Sequence, residues 1–346
     1  MLVMRWIVYL VPLLATLLPL PLVAASFCVS NSAELQAAIE TAASNADSND
    51  TIRLRPGVYP SPLPNGFRET FPHGDNISIS GGWLPLIGQC DLPGYDATAS
   101  VIDGEGQRAG LVFHRNGVGS GETHLSWLTI RGGRQNMSSL FYGNGGGVAI
   151  HESGLASIQH MIFEDNRATV RGGALYIRGT QRTIRNNLFV DNWAANGSAV
   201  FAPGAGGTVL FSNNTLTRNV LVAPTGLAFV VDFDTSPTSF AWNNILYNNP
   251  ISVYCDISGD QQMLNNNIIE HPCGSYAAGS SNNVNVNPGF VHSTNDLRLR
   301  RDSPAIDAGL NSGVSARDLD GRPRQIGTAV DLGAYEADFL FDNGFE

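Results

Sequence analysis

Apolar pairs framed by amides recur along the middle of the chain. "SIQHMIFEDN" ends at Asn166, "TIRNNLFVDN" at Asn192, "LFSNNTLTRN" at Asn219 and "FAWNNILYNN" at Asn249, so the steps are 26, 27 and 30 residues. A shortened fifth copy, "MLNNNIIEH", begins at Met263. Between copies lies a second recurring piece: "GNGGGVAI" from Gly143, "TVRGGALYI" from Thr169, "AANGSAVFA" from Ala194 and "APTGLAFVV" from Ala223. Each period therefore predicts two short apolar strands with glycine-marked turns. A two-strand unit cannot bury its own apolar face, but stacked units can, with equivalent positions repeating about every 4.8 Å. The pattern predicts an all-β solenoid.

In a solenoid the columns carry the information. Phe163, Phe189, Leu216, Leu246 and Ile269 form an interior column. Val148, Ala174, Ala199 and Ala228 are small enough for a tight corner. Ala149, Leu175, Val200 and Phe229 alternate with that column and are predicted to face outward, as an apolar stripe that needs a partner or a covering loop. The inserted segment "RQNMSSLFYGN" is long enough to supply the loop. Asn187, Asn214, Asn244 and Asn267 make one amide column, and Asn166, Asn192, Asn219 and Asn249 a second. Stacked amides bond to one another along the axis, each being donor and acceptor. One such bond nets about 1 kcal/mol, and a buried amide left unpaired costs roughly 1–3, which favours the column as a whole. Either this first set or the adjacent Asn186, Asn213, Asn243 and Asn266 points inward.

Upstream, "SAELQAAIETAAS", Ser32 to Ser44, predicts an amphipathic helix with Ser32 as N-cap, covering the open apolar end of the stack. The start of the chain, with Arg5, an apolar run from Trp6 to Leu22 and "VAAS", predicts a cleaved secretory signal peptide over residues 1–25 and an exported mature chain without a membrane-spanning segment. Four cysteines, Cys28, Cys90, Cys255 and Cys273, suit an oxidising compartment; of the three pairings, Cys255 with Cys273 closes the shortest loop and is preferred. The net charge is −10, and all 20 basic residues are arginine, with no concentrated basic face for nucleic acid.

"FEDNRATVRGGALYI" resembles right-handed parallel β-helix proteins of the pectin-lyase-like superfamily, especially bacterial surface proteins with polymorphic-outer-membrane-protein-type repeats. "DTIRLRPGVYP" after the helix looks like the first strand entering such a coil. "SPAIDAG" at Ser303, "DLDGRPR" at Asp318 and "VDLGAYE" at Val330 resemble, in order, the choice-of-anchor Q domain, which precedes C-terminal sorting signals in bacterial exported proteins. The last residues are similar to a terminal motif ending in Gly-Phe-Glu on exported proteins of some gammaproteobacteria. The resemblance implies a signal peptide (1–25), a right-handed parallel β-helix with an N-terminal α-helical cap (26–286), an anchor-type region (287–336) and a short sorting-like tail (337–346).

For chemistry, the best cluster is Asp165 stacked on Asp191, with Arg218 next in the same column and Arg167 nearby. Two carboxylates one coil apart would form part of a calcium site or, with an arginine base, of a lyase; calcium wants six to eight oxygens. The plainer role for these aspartates is to bond turn amides. "DFD", Asp232 to Asp234, reads as a loop. His151, His160 and His271 occupy different repeat positions without a nucleophile partner. Asp307 and Asp331 read as turn braces, each two residues before a glycine. A hydrolase of the superfamily would carry an Arg-x-Lys substrate clamp, and the chain has no lysine. The leading expectation is a non-catalytic exported or cell-surface protein, with no cofactor, that contacts a polysaccharide or a surface protein. The alternative is a polysaccharide lyase or glycoside hydrolase acting on an acidic polysaccharide.

Overall fold

The computed structural model describes residues 24–45, 49–62, 65–72, 74–115, 120–136, 143–222, 230–233, 238–249, 261–270 and 281–338. They form a right-handed parallel β-helix, with one α-helix at its N-terminal end and an irregular C-terminal region laid along its side.

One coil shows the plan. Strand Val148–Gln159 bends between Ile150 and Ser153, so that it serves two faces. The chain then turns at His160, runs through Ile162–Glu164, turns again at Asp165, and crosses a short strand, Arg167–Ala168, before the next glycine turn. Ile162–Glu164 belongs to a parallel sheet of eight strands stacked in strict chain order, from Gly57–Pro60 to Ile268–Ile269. The interior column appears as expected: Ile102, Ile130, Phe163, Phe189, Leu216, Leu246 and Ile269 are in register and buried. The Phe163 and Phe189 rings stack at 4.9 Å.

The two residues of each amide pair do different work. His160, Asn186, Asn213, Asn243 and Asn266 all have φ between 51° and 60°, the left-handed region that the turn demands and that asparagine tolerates better than most residues. The next residue points inward. Asn187 Nδ2 donates to Asn214 Oδ1 at 3.0 Å and to the carbonyl of Ile158 at 3.0 Å, and its Oδ1 accepts the Met161 N–H. The same bonds recur through Asn244 and Asn267 to Asn283. The second corner repeats the device, with Asp165, Asp191, Arg218 and Asn248 at positive φ and Asn166, Asn192, Asn219 and Asn249 as the inward ladder. Every ladder amide is buried except Asn283, the last rung of the first ladder, which is half-buried.

The predicted corner column is displaced by one residue. Val148 lies in register with Leu175, Val200 and Val231, all inward; Ala149 aligns with Tyr176 and Phe201. The cause is the extra residue between Ile150 and Ser153: the step between the two coils is 27 residues before that bend (Ile150 to Ile177) and 26 after it (Ser153 to Gly179). Leu175 and Val200 therefore belong to the main core rather than to an outward stripe, while Ala149, Tyr176 and Phe201 form a separate buried cluster with Ala109 and Val112. Ala228 and Phe229 lie outside the described residues.

The helix Ser32–Ser44 buries Leu35, Ala38, Ile39, Ala42 and Ala43 against the first coils. Its N-cap is Asn31, one residue before the predicted Ser32; Asn31 Oδ1 accepts the Glu34 N–H at 3.0 Å. Cys28 and Cys90 are disulfide-bonded, tying the first strand, Ser26–Val29, to an antiparallel excursion, Trp83–Pro85 with Cys90–Pro93. Cys255 and Cys273 lie outside the described residues, as does most of the predicted signal peptide. No helix among the described residues is long and apolar enough to cross a membrane.

Candidate functional site

The left-handed corner that starts each amide pair is also the seam for the C-terminal region. His160 Nε2 lies 2.9 Å from the Arg317 carbonyl, and Asn186 Nδ2 donates to the same oxygen at 3.1 Å. Asn243 bonds Leu310 twice, Nδ2 to the carbonyl at 2.9 Å and Oδ1 from the N–H at 2.8 Å. Asn266 Nδ2 donates to the Ala308 carbonyl at 2.8 Å. Side chains that a positive φ turns away from the interior thus hold residues 308–317 by their backbone.

Beyond the seam, buried carboxylates brace the C-terminal region. Asp318 accepts the N–H groups of Arg322 and Glu336 at 2.8 and 2.9 Å, and Glu336 accepts those of Ile326 and Asp331 at 3.2 and 3.1 Å. Asp331 accepts the N–H of Asp307 and of Ala337, and Asp307 that of Ala329, which places both in the bracing role expected of them. Buried Arg324 donates to the carbonyls of Asp331 and Gly333. Burial raises Asp318 to about 6 and Glu336 to about 7, against the backbone bonds and the Arg324 charge that lower them.

This bracing fixes two neighbours, Asp320 and Tyr335, at the edge of a groove of about 610 Å³. Its floor is the outward face of two stacked strands, Ile162, Glu164, Leu188 and Val190. Its far wall is the hairpin Phe290–His292 with Asp296–Leu299, whose Leu297 packs in a cluster with Leu188, Val190, Leu319 and Ala334. Arg298 and Asp296 face each other in a bidentate pair at 2.8 and 2.5 Å, and the Arg298 hydrogen bond holds the Asp296 carboxyl below its ordinary range. Burial pushes Asp320 up, and pushes the Tyr335 phenol well above its usual range. Among the described residues the carboxylates of Glu164 and Asp320 and the Tyr335 hydroxyl have no hydrogen-bond partner.

The residues predicted for chemistry fall at the second corner. Asp165 pairs with Arg167 at 2.9 Å within its own turn. Asp191 takes a bidentate pair from Arg218, Nε to Oδ1 and Nη2 to Oδ2 at 2.9 Å each, across one coil. Arg218 also donates to the carbonyls of Ser293 and Thr294 at 2.5 and 3.1 Å, anchoring the far wall, and it lines the groove. The structure therefore stacks Asp165 and Asp191 as expected, turns each toward an arginine, and brings Arg218 alone of the four into the groove. Among the described residues no three His, Cys, Asp or Glu side chains converge as a metal site. Asp232 is buried and accepts from Asn196 Nδ2; Asp234 and His271 lie outside the described residues. His151 is tilted against Tyr176 and His160 is stacked on Trp127 at 4.2 Å; burial lowers both to about 4. The groove residues escaped the sequence reading because Asp296, Asp320 and Tyr335 sit in an irregular region whose path over the coil no periodicity records.

A family model described as "Right handed beta helix region" matches residues 122–291. No curated protein matches the chain. Among solved structures, one described as "Crystal structure of pectate lyase Pel9A" is similar, with 13% sequence identity and a TM-score of 0.40, over 92% of this chain and 98% of that one.

Proposed function

We propose that this is an exported, non-catalytic β-helix protein whose coil displays a contact surface for saccharide, centred on the groove between the Ile162–Glu164 and Leu188–Val190 strands and the C-terminal region. The observation that carries this reading is the groove's composition. An apolar floor of Ile162, Leu188 and Val190 is edged by Glu164, Asp320 and Tyr335, whose side-chain oxygens have no hydrogen-bond partner among the described residues. Sugar rings offer that pairing, with C–H faces for an apolar floor and hydroxyls for carboxylate and phenol acceptors. A lyase would need a carboxylate pair free to hold metal and a base free to take a proton. At the second corner, Asp165 and Asp191 are both engaged by arginine, which weighs for contact over catalysis. The resemblance of the C-terminal motifs to choice-of-anchor Q domains fits an exported protein held at or released from the cell surface.

The test is direct. Incubating residues 26–346 with a panel of acidic, neutral and amine-bearing polysaccharides, with and without calcium, is expected to give binding to at least one of them and new reducing ends or unsaturated product from none. Turnover lost on Asp165→Ala or Asp191→Ala would replace this reading with the lyase alternative. Cell fractionation with a tag placed before and then after residue 337 tests export and the fate of the tail.

A further inference from the structure

We propose that the groove selects saccharides bearing a free amine over uronates. The inference rests on the saccharide reading above and adds the charge of the sugar. The groove is lined by three carboxylates, Glu164, Asp296 and Asp320, and two guanidiniums, Arg218 and Arg298, and Arg218 is further engaged by Asp191 outside the lining. Both guanidiniums are committed. Arg298 is chelated by Asp296 through two bonds, and Arg218 spends four of its five N–H donors on Asp191 and on the carbonyls of Ser293 and Thr294. Neither presents an uncompensated charge to an incoming carboxylate, and a bidentate clamp on a uronate would first have to break an existing pair. The groups left over are acceptors of negative charge: Glu164 on the floor strand and Asp320 on the opposite edge, neither hydrogen-bonded among the described residues.

The third free group points the same way. Tyr335 packs against the cluster that holds Leu188, Leu297 and Leu319 and lines the groove, and among the described residues its hydroxyl has no hydrogen-bond partner. A phenol raised well above its usual range stays neutral and serves as donor or acceptor to a sugar hydroxyl. The ring face and Leu188 meet the sugar's C–H face, and Glu164 and Asp320 meet an ammonium from two sides. The chain's net charge of −10 adds long-range attraction for such a ligand and repulsion for a polyuronate.

Calorimetry at about pH 6, on the chain of residues 26–346, would compare three tetrasaccharides: a glucosamine oligomer, its N-acetylated form, and an oligogalacturonate. The amine form is expected to bind about 10-fold tighter than the acetylated form, an advantage that salt screens, with the uronate not binding. In the double variant Glu164→Gln, Asp320→Asn the amine form should fall to the acetylated affinity, which itself stays within about two-fold. Equal binding of amine and acetylated forms, or tighter binding of the uronate, overturns the charge selection while leaving the saccharide reading intact. Failure of all three to bind, or preferential binding of a tetralysine control, overturns both.

Discussion

Asn187 donates from Nδ2 to Oδ1 of Asn214 at 3.0 Å, and the same oxygen accepts the Asn187 backbone N–H at 3.0 Å. One carbonyl thus satisfies two buried donors, while Asn214 Nδ2 is divided between the Ile184 carbonyl and Asn244. Replacing Asn214 by Leu strands the Asn187 backbone N–H and one Asn187 Nδ2 hydrogen in the interior and takes a donor from the Ile184 carbonyl, while Asn244 Oδ1 keeps the residue-214 N–H. At roughly 1–3 kcal/mol for each unsatisfied group, relieved in part by relaxation, the loss should be about 3 kcal/mol or more in urea denaturation. Its neighbour Asn213 has a different task, since it holds a φ of 53° and its side chain makes two long bonds, Nδ2 to the Asp331 carbonyl at 3.4 Å and Oδ1 from Asn243 Nδ2 at 3.5 Å. Asn213→Gly keeps that conformation without strain and should cost less than about 1 kcal/mol. Equal costs for the two substitutions would refute the division of labour between adjacent amides.

His160 takes the place that asparagine fills in the next four coils, with the same φ and the same partner, the C-terminal region. His160→Asn should therefore be tolerated within about 1 kcal/mol, despite the loss of the stack on Trp127. His160→Leu puts a residue unsuited to the left-handed region there and removes the bond to Arg317, so it should cost about 2 kcal/mol and speed proteolysis between residues 308 and 320. Denaturation midpoints and cleavage rates for the two variants check this.

These two sites show what the sequence made legible. Stacking, the interior phenylalanine column and both ladders follow from spacing alone, because a repeat that buries identical faces must align like with like. The pair Asn186–Asn187 left open which amide turned inward, since the answer depends on a backbone φ. The bend at Ile150 to Ser153 added one residue and slid Val148 from Ala174 to Leu175; a constant step read across both sides of that bend misses it. Arg218 was singled out from the sequence for a metal or catalytic cluster, and its use as the hairpin's anchor depends on residues 293 and 294, 75 positions away, for which the repeat carries no signal. The Cys28–Cys90 pair is legible only as what remains once Cys255 is paired with Cys273, because its partners are distant in sequence and adjacent only once the N-terminal excursion folds back.

That disulfide closes a loop spanning 62 residues, worth about 4 kcal/mol by the chain-entropy account. In a solenoid each coil leans mainly on its neighbours, so the loss should remain local. Reduction, or Cys28→Ser with Cys90→Ser, is expected to raise hydrogen exchange in residues 26–60 before the Phe163 to Leu216 coils change. Uniform deprotection along the stack would mean that the first coils and the central ladder unfold as one unit.

The buried braces of the C-terminal region predict how stability follows pH. Glu336 is raised to about 7 and Asp318 to about 6, in both cases chiefly by burial. A carboxyl whose pKa is higher folded than unfolded binds its proton more tightly in the native state. Its contribution is complete below the unfolded value near 4 and drains away as pH rises through the folded value. His151 and His160 act on the other side: lowered to about 4, they stabilise above their unfolded value of about 6.5, and that support is lost as pH falls toward 4. At pH 6.5 each unfolded histidine is still about half protonated, so between pH 6.5 and 8.5 the two histidines gain about 0.8 kcal/mol of stability while the carboxylates lose about 1 kcal/mol. The two trends nearly cancel, most of the loss coming from Glu336, and the wild-type Tm should change by less than about 1 °C over that window. Glu336→Gln has no proton to lose in that window, so the histidine gain is left uncompensated and its Tm should rise by about 1 °C from pH 6.5 to 8.5, whatever the substitution does to the absolute Tm. If the wild-type Tm instead rises as much as that of Glu336→Gln, Glu336 is ionised throughout, and Arg324, whose Nε lies 3.8 Å from it, outweighs the burial.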